Sequence, residues 1–364
     1  MYKLIHSQYD TTIYEQYPDT NAGTDEIIEL IPLKTGQPTG QDDYYPSTFN
    51  SRILMKFDLS SLSTIDVHEA YLTLRATEVT EVPISYTLYS YPLSGSWING
   101  TGYAHAQPEI SNGVSWKYRT SKLSGTKWAT GSYSANVTGS WATQPGGGTW
   151  YYNVSGSQSF NYERPDLRMN VTNIVRSWIS GSIQNDGLII KFSDTDEQSL
   201  DILGSQLFFS KDSHTIYIPR LEVYWDEQVL VGAGSFNSVT SDNVRLYLKN
   251  LKDIYTRSDK PIIRIGVGDI YPNQTYATSS NFLIKKRLPG NSYYEIQDVV
   301  TYEKIVPYNE VGTRVNCDSS GNYIKLDMSS LMPERYYKIV FKSEFDDESV
   351  IIIDNNYEFR VSNT

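Results

Sequence analysis

The chain has 364 residues, enough for two domains or three at about 150 residues each. With 39% hydrophobic and 20% charged residues it can bury real cores and is not compositionally disordered. A formal net charge of −11 argues against nucleic acid or an anionic membrane as principal partner, because both demand a basic surface. The single cysteine, Cys317, excludes an intrachain disulfide and a thiolate metal site. Met1 to His6 opens no apolar run of signal-peptide length, and no stretch reaches a membrane span, so we expect no membrane insertion and folding in a cytoplasm.

Tyrosine is the compositional outlier: 30 Tyr stand beside 11 Phe and 7 Trp. Aromatic and β-branched residues favour half-buried pleated surfaces, which points to an all-β fold. In chain order, Arg52–Asp58 puts Ile53, Met55 and Phe57 on one face. Glu69–Arg75 alternates Leu72 and Leu74 against Tyr71 and Thr73, and Ile84–Tyr89 alternates again. Residues 130–161 mix Gly, Ser and aromatics and read as a hairpin or long loop inserted between strands. One helix is expected over Leu167–Trp178, where Val171, Ile174, Val175 and Trp178 recur at helical spacing. Asn170 or Thr172 would cap it, and Gly181 would end it. Gly187–Phe192 and Pro219–Trp225 are further strands. Gly266-Val267-Gly268 reads as a turn, and Lys285-Lys286-Arg287 as a solvated strand end or subunit contact. A turn of helix fits Ser329–Leu331.

A boundary falls near residue 226. All seven Trp lie at or before Trp225. Residues 1–225 hold 15 Lys+Arg and 23 Asp+Glu, net −8; residues 226–364 hold 16 and 19, net −3. The expected domains are therefore 1–225 and 226–364.

Ordered motifs in the first domain carry a resemblance. They run from Asp10-Thr11-Thr12-Ile13-Tyr14 and Pro18-Asp19-Thr20-Asn21-Ala22-Gly23 to Ser51–Ser60 and Ala70–Leu74. The tryptophan turns Ser96-Trp97, Val114-Ser115-Trp116 and Lys127-Trp128 follow, then Asn170–Trp178, Asn185–Leu188 and Pro219–Val223. In this order they resemble the DNRLRE family of β-sandwich domains, related to disaggregatase repeats and carbohydrate-binding modules. Asn170 stands where that family often carries Asp. Tyr9–Glu15 and Asn322–Ser330 make the whole chain resemble virion structural proteins of T4-like marine cyanophages.

The resemblance implies a jelly-roll-like sandwich with one short helix. It also implies a place in the virion after assembly in a host cytoplasm and leaves the location there open; our expectation is the periphery of the tail or baseplate. In the second domain Leu331-Met332-Pro333-Glu334-Arg335-Tyr336-Tyr337 has the spacing of an Ig-like or fibronectin-III-like sandwich, whose tyrosine bonds back to an upstream backbone group; Tyr337 is the candidate.

For chemistry, His6, His68, His105 and His214 read as surface residues. Asp194, Asp196 and Glu197 read as a solvated acidic loop rather than as calcium ligands or a glycosidase pair. Asp10, Asp19 and Asn21 are weaker oxygen-ligand candidates of the same kind. No catalytic residue, metal or cofactor is expected, and the chain reads as a non-enzyme. The aromatic insertion supplies glycan- or partner-binding candidates, Trp141, Trp150, Tyr151 and Tyr152, because exposed rings stack on sugars or dock on subunits. Trp97, Trp116, Trp128, Trp178 and Tyr337 read as structural. Expected partners are other virion proteins, with copies of itself and host surface glycan as alternatives.

Overall fold

A computed structural model of the chain describes residues 1–39, 43–79, 84–103, 112–123, 125–130, 132–134, 136–139, 146–161, 166–201, 203–230, 234, 236–272 and 285–363. The fold is all-β, with 43% of residues in strands, several sheets and two short α-helices. The chain divides into two compact units, one of Ile5–Val223 and one of Tyr224–Thr364 together with Met1–Leu4.

At the centre of the Ile5–Val223 unit is a five-stranded sheet in the order Gly156–Phe160, Tyr86–Pro92, Leu188–Phe192, Ser51–Lys56, Tyr9–Tyr14. Neighbours pair antiparallel, and the register fixes the faces. Arg52 lies opposite Ile13, and Leu54 lies opposite Thr11 and Ile189; these residues share one face. Ile53, Met55, Leu188 and Ile190 point the other way. All six aliphatic side chains from Ile53 to Met55 and Leu188 to Ile190 are fully buried. The central strands are therefore covered on both sides, which is why they read as continuous apolar runs. The outer strands alternate: in Glu69–Leu74 the buried residues are Ala70, Leu72 and Leu74, with Glu69, Tyr71 and Thr73 half-buried. That strand lies between Arg220–Tyr224 and Leu167–Asn170. A small sheet joins Ile27–Leu30, Gln206–Phe209 and Ala76–Val79, and from it Gln206 donates a 2.7 Å hydrogen bond to the Tyr86 hydroxyl. The aromatic insertion forms its own antiparallel sheet of Ser132–Ser134, Val137–Gly139 and Thr149–Tyr151.

The expected helix is shorter than its motif. Leu167–Asn170 is a strand paired with Tyr71–Leu74, and the helix α1 covers Thr172–Ile179. The reason is visible in the sequence: Leu167 and Met169 are buried while Arg168 and Asn170 are exposed, a period of two that gives way to 3.6 only at Val171. Val171, Ile174, Val175 and Trp178 are buried as the spacing required. The N-cap position falls on Val171, which offers no side-chain cap, so neither Asn170 nor Thr172 caps α1 as expected; Asn170, one residue before it, accepts the Thr172 amide at 3.0 Å, and Gly181 follows the last turn at φ +73°. A second helix, α2, covers Asp194–Gln198, where the sequence reading placed a loop.

In the unit of Tyr224–Thr364, a five-stranded sheet runs Ile254–Thr256, Val350–Ser362, Arg335–Glu344, Ser292–Asp298, Lys304–Val306. A four-stranded one runs Arg245–Leu248, Ile262–Gly268, Gly321–Lys325, Asn316–Asp318. Gly266 and Gly268 thus sit in a strand, not in a turn. Gly266 stands opposite Tyr247, and a Cβ there would fall 2.2 Å from the tyrosine ring, so the glycine makes room for a cross-strand aromatic. Lys286 begins a two-residue strand and pairs with Asp269 at 2.5 Å. The expected helical turn is a single 3₁₀ turn over Met328–Ser330. Tyr337 is buried, and its hydroxyl donates to the Met332 carbonyl at 2.8 Å, the back-bond its spacing called for.

Candidate functional site

Arg52 and Lys191 are cations set beside apolar runs, in Ser-Arg-Ile-Leu-Met-Lys and Leu-Ile-Ile-Lys-Phe. Each is 1% exposed. An isolated charge at such depth costs many kcal/mol, so each requires a partner. The partner is Glu197, 4% exposed, presented by α2. That helix exists because Ser193 accepts the Asp196 amide at 3.0 Å as N-cap, and its acidic first turn complements the helix dipole. Arg52 grips Glu197 with two hydrogen bonds, Nε to Oε1 at 2.9 Å and NH2 to Oε2 at 2.6 Å, the planar fork geometry that lysine cannot supply. Lys191 Nζ lies 3.1 Å from Glu197 Oε2 and 2.5 Å from Asp194 Oδ1, and donates to the Phe192 carbonyl at 2.9 Å.

Indole faces complete the enclosure. The Arg52 guanidinium lies 4.9 Å from the Trp116 ring and 5.3 Å from the Trp150 ring; Lys191 Nζ lies 5.3 Å from Trp150. Trp97, Trp116, Trp128 and Trp150 join Ile13, Leu54, Leu93, Val114 and Ile189 in one cluster against this face of the central sheet. Two of the cluster's indole nitrogens donate to backbone: Trp97 to Asp186 O at 2.8 Å and Trp128 to Ser115 O at 3.0 Å. The glycine run of the insertion follows from the same packing. Gly147 accepts from Arg52 at its carbonyl, has φ +79°, and a Cβ there would lie 2.7 Å from both the guanidinium and the Trp116 ring.

Asn21 explains the opening motif. Its Nδ2 donates to Asn99 O at 2.8 Å and Val114 O at 2.7 Å, and its Oδ1 accepts from Gly102 N at 2.8 Å and Gly23 N at 3.2 Å. One buried amide thereby pins the loops that deliver Trp97 and Trp116.

The sequence-based candidates separate accordingly. Trp150 is 3% exposed, in strand Thr149–Tyr151 within the cluster, so its ring faces Arg52 and Lys191 and offers no platform to a ligand. Trp141 lies outside the described residues. Tyr151 is half-buried and Tyr152 is 55% exposed. Trp97, Trp116, Trp128, Trp178 and Tyr337 are all core residues. Glu197 is not part of a solvated acidic loop, whereas Asp194 and Asp196 are not buried. Asp19 lies 3.6 Å from Lys117 and 3.9 Å from Lys122. Among the described residues, no group of three or more His, Cys, Asp and Glu side chains is placed to hold a metal ion. Sequence reasoning missed Arg52 and Lys191, although a cation adjoining a run of apolar residues was the available signal.

No protein-family model matches the chain, and no curated protein matches it.

Removal of the shared carboxylate leaves two buried cations facing each other. Glu197→Gln is expected to cost about 3–5 kcal/mol in urea unfolding, followed by fluorescence of the tryptophans, six of which lie in Ile5–Val223. Asp194→Asn, whose side chain is 65% exposed, is expected to cost under about 1 kcal/mol.

Asp10 gives a pH signature. It is 2% exposed, accepts from Ser7 Oγ at 2.6 Å and Lys211 N at 3.1 Å, and burial raises its pKa from 3.8 to about 6. The folded state thus binds the proton more tightly than the unfolded chain. The associated stability is present below pH 3.8 and is lost as pH rises through about 6. Relative to Asp10→Asn, the native protein is expected to lose about 3 kcal/mol between pH 3.5 and 7.5 in urea titrations. Parallel curves for the two proteins would refute this.

Proposed function

We propose that the chain is a non-enzymatic structural protein made of two β-sandwiches, jelly-roll-like in the first unit and Ig-like in the second. It acts by protein–protein assembly in a virus particle, at the periphery of the tail or baseplate. The observation that carries this reading is the use made of the reactive-looking side chains. Arg52, Lys191, Glu197, Trp116 and Trp150 are consumed in bracing one another, so their chemistry produces rigidity instead of turnover. A braced body bearing loops suits a scaffold that presents surface to neighbours. The Tyr337 to Met332 back-bond supports the Ig-like assignment. The virion assignment rests on the sequence resemblance. Antibodies raised against the recombinant chain are expected to label intact purified particles at the tail. Particles that lack both the label and the polypeptide, by immunogold microscopy and mass spectrometry, would overturn it.

A glycan-binding role is the second reading, favoured by a cleft of about 550 Å³ beside α1. Asn153, Ser155, Asn173, Arg176 and Ser177 line it. Arg176 is held in place by bonds to Val67 O at 2.8 Å and His68 O at 3.0 Å. Amide and guanidinium groups so placed match the paired hydroxyls of a sugar, and exposed Tyr152 directly precedes Asn153. On this reading, saturable binding of host surface polysaccharide in calorimetry falls at least tenfold in an Asn153→Ala/Asn173→Ala double variant. Equal binding by both proteins excludes this cleft.

A further inference from the structure

Among the described residues, the strand Val350–Ser362 has an outer edge that is paired over part of its length. On its inner side it pairs with Arg335–Glu344, with Val350 opposite Glu344 and Ile353 opposite Phe341. On its outer side Ile254–Thr256 covers only Arg360–Ser362, in parallel. Among the described residues no strand pairs with the outer side of Val350–Ile353. This stretch, Val-Ile-Ile-Ile, is continuously β-branched. Val350 is 53% and Ile352 64% exposed on one face, while Ile351 and Ile353 are half-buried on the other. An uncovered apolar edge of this composition is a template for strand addition.

Its limits are defined. Beyond Ile353, three residues, Asp354–Asn356, bulge against the single residue Val340, and Asn356 has φ +52°. Asn355 and Tyr357 then reach across to the Leu246 carbonyl. The regular open edge is therefore four residues, about 13 Å at 3.3 Å per residue.

Charge selects the occupant. Asp346, Asp347 and Glu348 form the exposed turn before Val350, and Asp354 and Glu358 follow the apolar stretch. A second copy added antiparallel about Ile352 would set the acidic turn of each molecule against Glu358 of the other. Like charges so placed disfavour self-pairing. Asp354 is paired with Lys338 Nζ at 2.6 Å, which leaves the Asp346–Glu348 turn at one end and Glu358 at the other, and an extended apolar strand flanked by lysine or arginine meets complementary charge at both.

We propose that Val350–Ile353 is a strand-addition site for an extended, β-branched segment of another protein with basic residues flanking it. The proposal rests on the assembly reading and names the partner that reading leaves open.

The test uses the full chain and two acetylated, amidated peptides of alternating Val and Thr, one with lysines at both ends and one with glutamates. Binding is followed by ¹⁵N-¹H chemical shifts. The lysine-flanked peptide is expected to bind saturably, with shifts centred on Ser349–Asp354, and the glutamate-flanked one to bind at least roughly tenfold more weakly. Ile352→Lys is expected to weaken the lysine-flanked peptide at least tenfold with native thermal stability, and Asp346→Lys to narrow the preference between the peptides. Absence of binding, equal binding of both peptides, shifts mapping elsewhere, or concentration-dependent self-association abolished by Ile352→Lys would each overturn the proposal. Because the peptides probe the isolated chain, failure here is separable from failure to find the chain in particles.

Discussion

Much of the first unit depends on one constraint: two cations placed in the middle of an apolar sheet face must not be left without a counter-charge. Arg52 and Lys191 stand on adjacent central strands, and the register of Ile53 with Ile190 sets them side by side. Two positive charges at such depth repel and are poorly solvated. Glu197 must be delivered to them, and α2 is the device that delivers it. The indoles of Trp116 and Trp150 then supply a polarizable wall that water would otherwise occupy. The glycine run at 146–148 lets backbone come close enough to accept a third guanidinium hydrogen, and Asn21 holds the loops that bring in Trp97 and Trp116. Such an ion cluster need not be more stable than an apolar replacement. What it gives is directionality: the bidentate Arg52–Glu197 pair admits one orientation of α2, and hydrophobic contact alone would admit several.

Local alternation carried much of the fold in the sequence. Glu69–Leu74 and the buried face of α1 follow their apolar spacing residue by residue, and Tyr337 makes the bond its position implies. The readings that failed did so where tertiary partners outweighed local pattern. Leu167 stands four residues before Val171, as a helix would have it, yet Leu167–Asn170 itself alternates with a period of two, and pairing with Tyr71–Leu74 takes it into a sheet. Gly266-Val267-Gly268 resembles a turn only until Tyr247 is placed across from Gly266. The acidic run after Phe192 is the instructive case. Polar residues are expected outside, and nothing within Ser-Asp-Thr-Asp-Glu says which carboxylate goes in. That information sits 145 residues earlier, in Arg52.

Trp150 inverts the usual inference from aromatic loops. A tryptophan among glycines reads as an exposed ring because glycine-rich segments lie on surfaces. Here the glycines serve the burial: without side chains, the backbone can fold down onto Trp116 and Arg52, and the neighbouring tryptophan follows it inward. The aromatic surface left near the insertion is Tyr152, with a polar cleft next to it.

The second unit handles its apolar surface differently. Its other long strands are enclosed by neighbours, and Lys304–Val306 at the far edge of the same sheet is only three residues long, too short to template much addition. At Val350–Ile353 only part of the customary protection is present. The bulge at Asp354–Asn356 ends the regular ladder and an acidic turn precedes it, but no charge interrupts the four β-branched residues themselves. A sequence under pressure only to stay soluble would place a lysine at Ile352, whose side chain already faces solvent. An isoleucine there, with negative charge on the flanks, fits the proposed edge that disfavours its own kind and admits a partner of opposite charge.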